Sequence, residues 1–111
     1  ELYLKAFEIC VREADPWTVM SSYNLINGTR ASENRELLTD ILRGEWGFDG
    51  LVMTDWYTHG EQFREIAAGN DLKMGCGMPE ETLEKLRTGD LTREDMQMSV
   101  RRVLRLFQKL A

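Results

Sequence analysis

The chain has only two cysteines, Cys10 and Cys76, far apart and without a CxxC or nearby histidine partner. That spacing excludes a zinc site built on thiolates, and both thiols are expected to be small buried hydrophobes. It has a single histidine, His59, so no His-rich metal motif can form. No apolar run approaches the roughly 18 residues needed to cross a bilayer, and no charged-then-apolar leader opens the chain. The expectation is a chain off the membrane, with a cytoplasmic location favoured and any upstream leader outside the sequence. Positive charge is also in deficit: 14 basic against 19 acidic side chains give a net charge of −5. Such a surface repels phosphate backbones, so nucleic acid is not an expected partner. Long like-charge runs and low-complexity tracts are missing as well, which argues against disorder.

What is there is ordinary globular material: 42% apolar and 30% charged residues over a length of 111, enough for one small domain or part of a larger one. Tyr3, Phe7, Cys10 and Ala14 fall at helical spacing, predicting an amphipathic helix over 2–14 that stops at Asp15-Pro16. Trp17 to Tyr23 is rich in β-formers and predicts a strand, closed by the turn-prone pair Asn27-Gly28. Ser32 is the expected cap of a second helix, with Leu37, Leu38, Ile41 and Leu42 on one face and Gly44 and Gly47 at its end. Gly50-Leu51-Val52-Met53-Thr54-Asp55 is a continuous apolar run ending in an acid, as in a strand of a parallel sheet covered on both faces. Further on, the pattern predicts a helix over 62–68, a short strand over 70–74, a helix over 80–87 and a long final helix. Thr92, with Asp95 three residues on, starts that last helix, and Met96, Val100, Val103, Phe107 and Leu110 form its apolar stripe. Alternating strands and helices imply right-handed βαβ units: an α/β fold of about three units with parallel strands, too few to close a barrel. The open strand edges then invite self-association.

In parallel α/β architectures the functional side chains collect at the carboxyl ends of strands, where Tyr23 and Asp55 stand. A carboxylate there is partly desolvated and needs compensation. From spacing alone Asp55 reads equally as a catalytic acid or as the cap of the following helix, and Tyr23 as an aromatic filling the end of the sheet. Gly75-Cys76-Gly77 lacks the frame of a phosphate-binding loop and reads as a turn.

The wording of the sequence carries more than its spacing. Val19-Met20-Ser21-Ser22-Tyr23-Asn24, Asn27-Gly28, Glu33-Asn34, the run Leu42-Arg43-Gly44-Glu45-Trp46-Gly47-Phe48-Asp49-Gly50-Leu51-Val52-Met53-Thr54-Asp55-Trp56, Ala68-Gly69-Asn70-Asp71-Leu72 and Arg101-Arg102-Val103-Leu104 together resemble family 3 glycoside hydrolases of the β-glucosidase type. The resemblance covers nearly the whole chain. It implies that residues 1–111 are one partial domain, the last part of the family's (β/α)8 TIM-like barrel. It also implies that Thr54-Asp55-Trp56 is the nucleophile motif, with Asp55 attacking the anomeric carbon of a β-linked oligosaccharide or an aryl or alkyl glycoside. Tyr23 would stand beside it, Met20 would line the sugar pocket and Trp56 would border it. Neither a metal nor a cofactor is implied. A retaining glycosidase needs a second carboxylate as acid/base. In two-domain members that residue lies in a following α/β domain, and Glu45, Glu61 and Glu80 match no such motif. His59 follows the nucleophile instead of sitting on the earlier Asp-His loop of hexosaminidase members, and reads as a surface residue. The segment is therefore expected to be inactive without the remainder of its barrel and the following domain. Two other readings remain: a non-catalytic interaction module docking through the Met96–Leu110 stripe, and an aspartate-nucleophile phosphatase. The phosphatase pattern wants a second acid where Tyr57 stands.

Overall fold

A computed structural model describes residues 2–111. Helix α1 spans Lys5–Ala14 and ends where Asp15 turns into the left-handed region. Strand β1 (Thr18–Ser21) follows, then a hairpin of β2 (Leu25–Ile26) and β3 (Thr29–Arg30). Its turn is made by Asn27 and Gly28, both at positive φ, the geometry of two-residue hairpin loops. A 3₁₀ turn (Ala31–Glu33) leads into a π-helix (Glu36–Glu45), and β4 (Leu51–Thr54) pairs parallel with β1. Helices α2 (Gln62–Ala68), α3 (Pro79–Thr88) and α4 (Arg93–Leu110) complete the chain. Thr92 caps α4 by accepting the Asp95 amide, as its spacing predicts.

The β1–β4 register, Thr18 to Leu51 through Ser21 to Thr54, turns Val19, Ser21, Val52 and Thr54 toward the helices. There Val52 joins Val11, Leu38, Leu42, Phe48 and Ala68 in one core, while Phe63, Ile66 and Leu91 form a second. Each such aliphatic side chain contributes about 1.5–3 kcal/mol by leaving water. Met20, Met53 and Asp55 alternate onto the opposite face.

Several expectations are corrected. The third strand shrinks to a single parallel bridge, Met53 to Leu72. Beyond it the backbone leaves the ladder, because the Met74 amide bonds to the Thr54 hydroxyl and Lys73 turns toward Glu65. Ser32 is buried in the 3₁₀ turn and caps nothing; the Asn34 side chain accepts the Leu37 amide instead. Gly44 lies inside its helix, which ends before Gly47 at positive φ. Tyr3 precedes α1 and is exposed, as are Phe7 and Cys10 on the helix, where only Val11 is buried, so Cys10 is not a core residue; Cys76 is half-buried. On α4 the stripe is split: Met96 packs on the second core and Val103 is half-buried, whereas Val100, Phe107 and Leu110 are exposed. Its inward face is set by Ser99 and Arg102, which bond to Asp71.

Among the described residues no helix is long and apolar enough to cross a membrane.

Candidate active site

Thr54 ends β4 fully buried, its hydroxyl accepting the Met74 amide. The next residue, Asp55, continues the parallel ladder by donating its amide to the Ser21 carbonyl at 3.0 Å. Its side chain therefore emerges at the carboxyl tip of the strand, half-buried, on the face shared with Met53 and Met20. Helix α2 begins only at Gln62 behind Glu61, so Asp55 does not cap it. One carboxylate oxygen accepts the amide of the adjacent Trp56 at 2.7 Å.

Tyr23 reaches across from the end of β1. Its hydroxyl donates to the Trp56 carbonyl and lies beside the Asp55 carboxylate. The phenol is pushed above its ordinary value by partial desolvation and then by the neighbouring Asp55 charge, which disfavours a phenolate. Met20, Tyr23 and Trp56 are each about half exposed (50%, 51% and 50%), so they rim an open face instead of lining a closed pocket. His59 is exposed in the loop between Asp55 and α2.

Two features around this face escape a reading of the sequence. Tyr57 takes a positive φ of 54°, unusual for a bulky residue, and its ring lies 5.9 Å from that of Trp56. Gly75 passes directly over both: a Cβ there would meet Trp56 Cε3 at 2.8 Å and Tyr57 Cε1 at 3.1 Å. The Gly-Cys-Gly turn is thus a seat for the aromatic pair, a role that only the fold reveals.

Behind the face, Asp71 anchors the strand. Its fully buried carboxylate accepts the Val52 amide at 2.9 Å and pairs with Arg43 at 2.8 Å and Arg102 at 3.1 Å. Burial drives the Arg43 guanidinium down to about 10 and the Asp71 carboxyl upward, while their mutual attraction works the other way. A hollow of about 270 Å³ lies at the other end of the strands between Trp17, Gly50, Arg102 and Lys109. No cluster of three or more metal-ligating side chains occurs among the described residues.

Residues 1–106 match the model of the glycosyl hydrolase family 3 N terminal domain. The chain belongs to glycosyl hydrolase family 3. Among family 3 relatives, β-glucosidase A of Butyrivibrio fibrisolvens is 52% identical over 97 residues, which are 87% of this chain and 12% of that protein. An exo-α-(1→6)-L-arabinopyranosidase of Bifidobacterium longum is 51% identical over 74 residues, 67% of this chain and 10% of its own. Of solved family 3 structures, β-glucosidase 3B from Thermotoga neapolitana, in complex with glucose, superposes with a TM-score of 0.87 at 41% identity. That match covers 92% of this chain and 16% of the other. The chain thus spans about one-eighth of the length of the curated relatives it matches.

Proposed function

We propose that residues 1–111 form the last part of the (β/α)8 barrel of a retaining β-glycosidase, and that Asp55 is its nucleophile. The observation that carries this reading is a half-buried carboxylate at the carboxyl tip of a parallel strand, free of any helix-capping duty and flanked by a tyrosine hydroxyl. In the proposed reaction an Asp55 oxygen attacks the anomeric carbon as the glycosidic bond breaks, and the leaving alcohol takes a proton from an acid/base carboxyl supplied by another part of the protein. Water then opens the glycosyl ester with that same carboxylate as base. The two carboxyls of such a pair stand about 5–5.5 Å apart. Trp56 offers an aromatic face at the rim for the apolar side of a sugar, Met20 lines the floor, and Tyr23 holds the loop carbonyl next to the nucleophile.

The substrate class is a β-linked oligosaccharide or an aryl or alkyl glycoside, in keeping with the β-glucosidase relatives. An arabinopyranosidase relative at nearly equal identity is in keeping with a sugar chosen mostly by residues outside this segment. Alone, the chain lacks the acid/base partner and is inactive. Its exposed apolar stripe on α4 and the free edge of β1 are surfaces for the remaining barrel, or for self-association when that is missing. The interaction-module reading keeps its exposed α4 stripe but does not account for a strand-tip carboxylate that caps no helix, and Tyr57 stands where a phosphatase would need an acid.

The test is Asp55→Asn in the full-length protein carrying this segment. Aryl β-glucoside turnover should fall by about 10³-fold or more with the fold retained; near-normal turnover would exclude Asp55 as nucleophile.

A further inference from the structure

The loop that follows Asp55, residues 56–61, has no regular secondary structure, yet it carries Trp56 and the aromatic neighbour Tyr57. Behind it lies an ion pair that the proposed reaction does not use. Glu65 of α2 and Lys73 meet at 2.7 Å with their side chains only 1% exposed. Lys73 Nζ also donates to the Thr58 hydroxyl at 2.9 Å and to the Gly60 carbonyl at 3.1 Å, with the Thr58 carbonyl at 3.4 Å. The Thr58 hydroxyl in turn donates to the second Glu65 oxygen at 2.8 Å. Every donor and acceptor of the buried pair is thereby matched within one loop. Gly60 completes the fit, since a Cβ there would stand 2.3 Å from Glu65 Oε1.

Stability alone does not account for this arrangement. Removing two charges from water is costly, and a well-packed apolar pair of similar volume often serves a fold equally well or better. An apolar pair cannot, however, bind the carbonyls and hydroxyl of a loop that lacks a ladder of its own. Resting on the reading of Asp55 as nucleophile, we propose that Glu65 and Lys73 are positioning residues: they fix the 56–60 loop, and through it Trp56 and the Asp55 carboxylate, in the reactive arrangement. The chain of contact is short. Lys73 holds Thr58 and Gly60, the Tyr57 amide donates to the Met74 carbonyl next to Lys73, and the Trp56 amide holds Asp55.

The experiment uses the full-length protein with Glu65→Leu/Lys73→Met, a double change that leaves no lone buried charge, and with Thr58→Val, which removes only the bridging hydroxyl. Three quantities are read: the melting temperature, amide hydrogen exchange across residues 56–60, and kcat and KM on an aryl β-glucoside. The expected result for the double variant is a melting temperature close to wild type and loop exchange at least about ten-fold faster, with β4 still protected. A kcat lowered about 10- to 100-fold with little change in KM should accompany it, and Thr58→Val should give a smaller change of the same kind. A folded double variant with wild-type loop exchange or wild-type kcat overturns the proposal, as does a fall in kcat matched by general destabilisation. Failure of the nucleophile reading shows up separately, as turnover retained by Asp55→Asn.

Discussion

A carboxylate and a phenol side by side at a strand tip impose a sign on each other. Tyr23 stays protonated to higher pH than a free phenol, because its surroundings are partly dry and Asp55 is negative. Its hydrogen bond to the Trp56 carbonyl is therefore fully present below the ordinary value of 10.0 and is lost as pH rises through the higher folded-state value. Replacing Asp55 by Asn removes the second cause and leaves the first. In tyrosine-labelled chain the NMR titration midpoint of Tyr23 should drop toward, without reaching, the ordinary value; an unchanged midpoint would mean that the carboxylate does not feel the ring. Asp71 makes a stronger claim. Its carboxylate is matched by two guanidiniums and the Val52 amide, so Asp71→Asn leaves buried cations uncompensated. Urea denaturation should register a loss of about 3–5 kcal/mol. The sequence offered Asp55 and Tyr23 by position, since strand ends gather function, but it did not show that Tyr23 would spend its proton on a carbonyl. That carbonyl lies 33 residues further along the chain, so only the fold brings it to the phenol. Gly75, Glu65 and Lys73 were equally hidden: their partners lie 7 to 19 residues away, and only the folded loop brings them together.

Helices and strands were legible where their periodicity served the local core. Leu38 and Leu42 face inward as their spacing predicts, and Leu38→Ala should cost about 2–5 kcal/mol in a denaturant melt. Where periodicity served a surface not covered within the chain, it misled. The stripe on α4 was read as the core face, and Met96 does pack inward, yet the Ser99 and Arg102 bonds to Asp71 leave Val100, Phe107 and Leu110 outside. Phe107→Ser should thus shift the stability of the isolated chain by no more than about 0.5 kcal/mol, whereas a loss of several kcal/mol would show that Phe107 packs internally. α1 tells the same story, with Phe7 exposed and only Val11 covered. The third strand was overread for another reason: Asn70 to Met74 has strand-like composition, but Lys73 and Met74 spend their polar groups on Glu65 and Thr54, so pairing stops after one bridge. The hairpin of β2 and β3 was missed because two-residue strands carry too little pattern to be seen beyond their Asn-Gly turn.

As a whole the described chain is a two-stranded parallel sheet extended by one bridge, with helices packed on the Val52 face and Asp55 on the opposite one. Its family was readable from the long run that leads into Thr54-Asp55-Trp56, and the family model and the solved structures agree. On the proposed reading a second carboxylate must come from elsewhere in the protein, since a retaining glycosidase cannot run on one. Purified alone, the chain should release no measurable aglycone from an aryl β-glucoside; robust release would mean that a complete catalytic pair lies within these residues. The most direct measurement is mechanism-based labelling of the full-length protein with a 2-deoxy-2-fluoro-β-glucoside, followed by peptide mass spectrometry. The account predicts one glycosyl adduct, on Asp55, and an adduct on any other residue would contradict it.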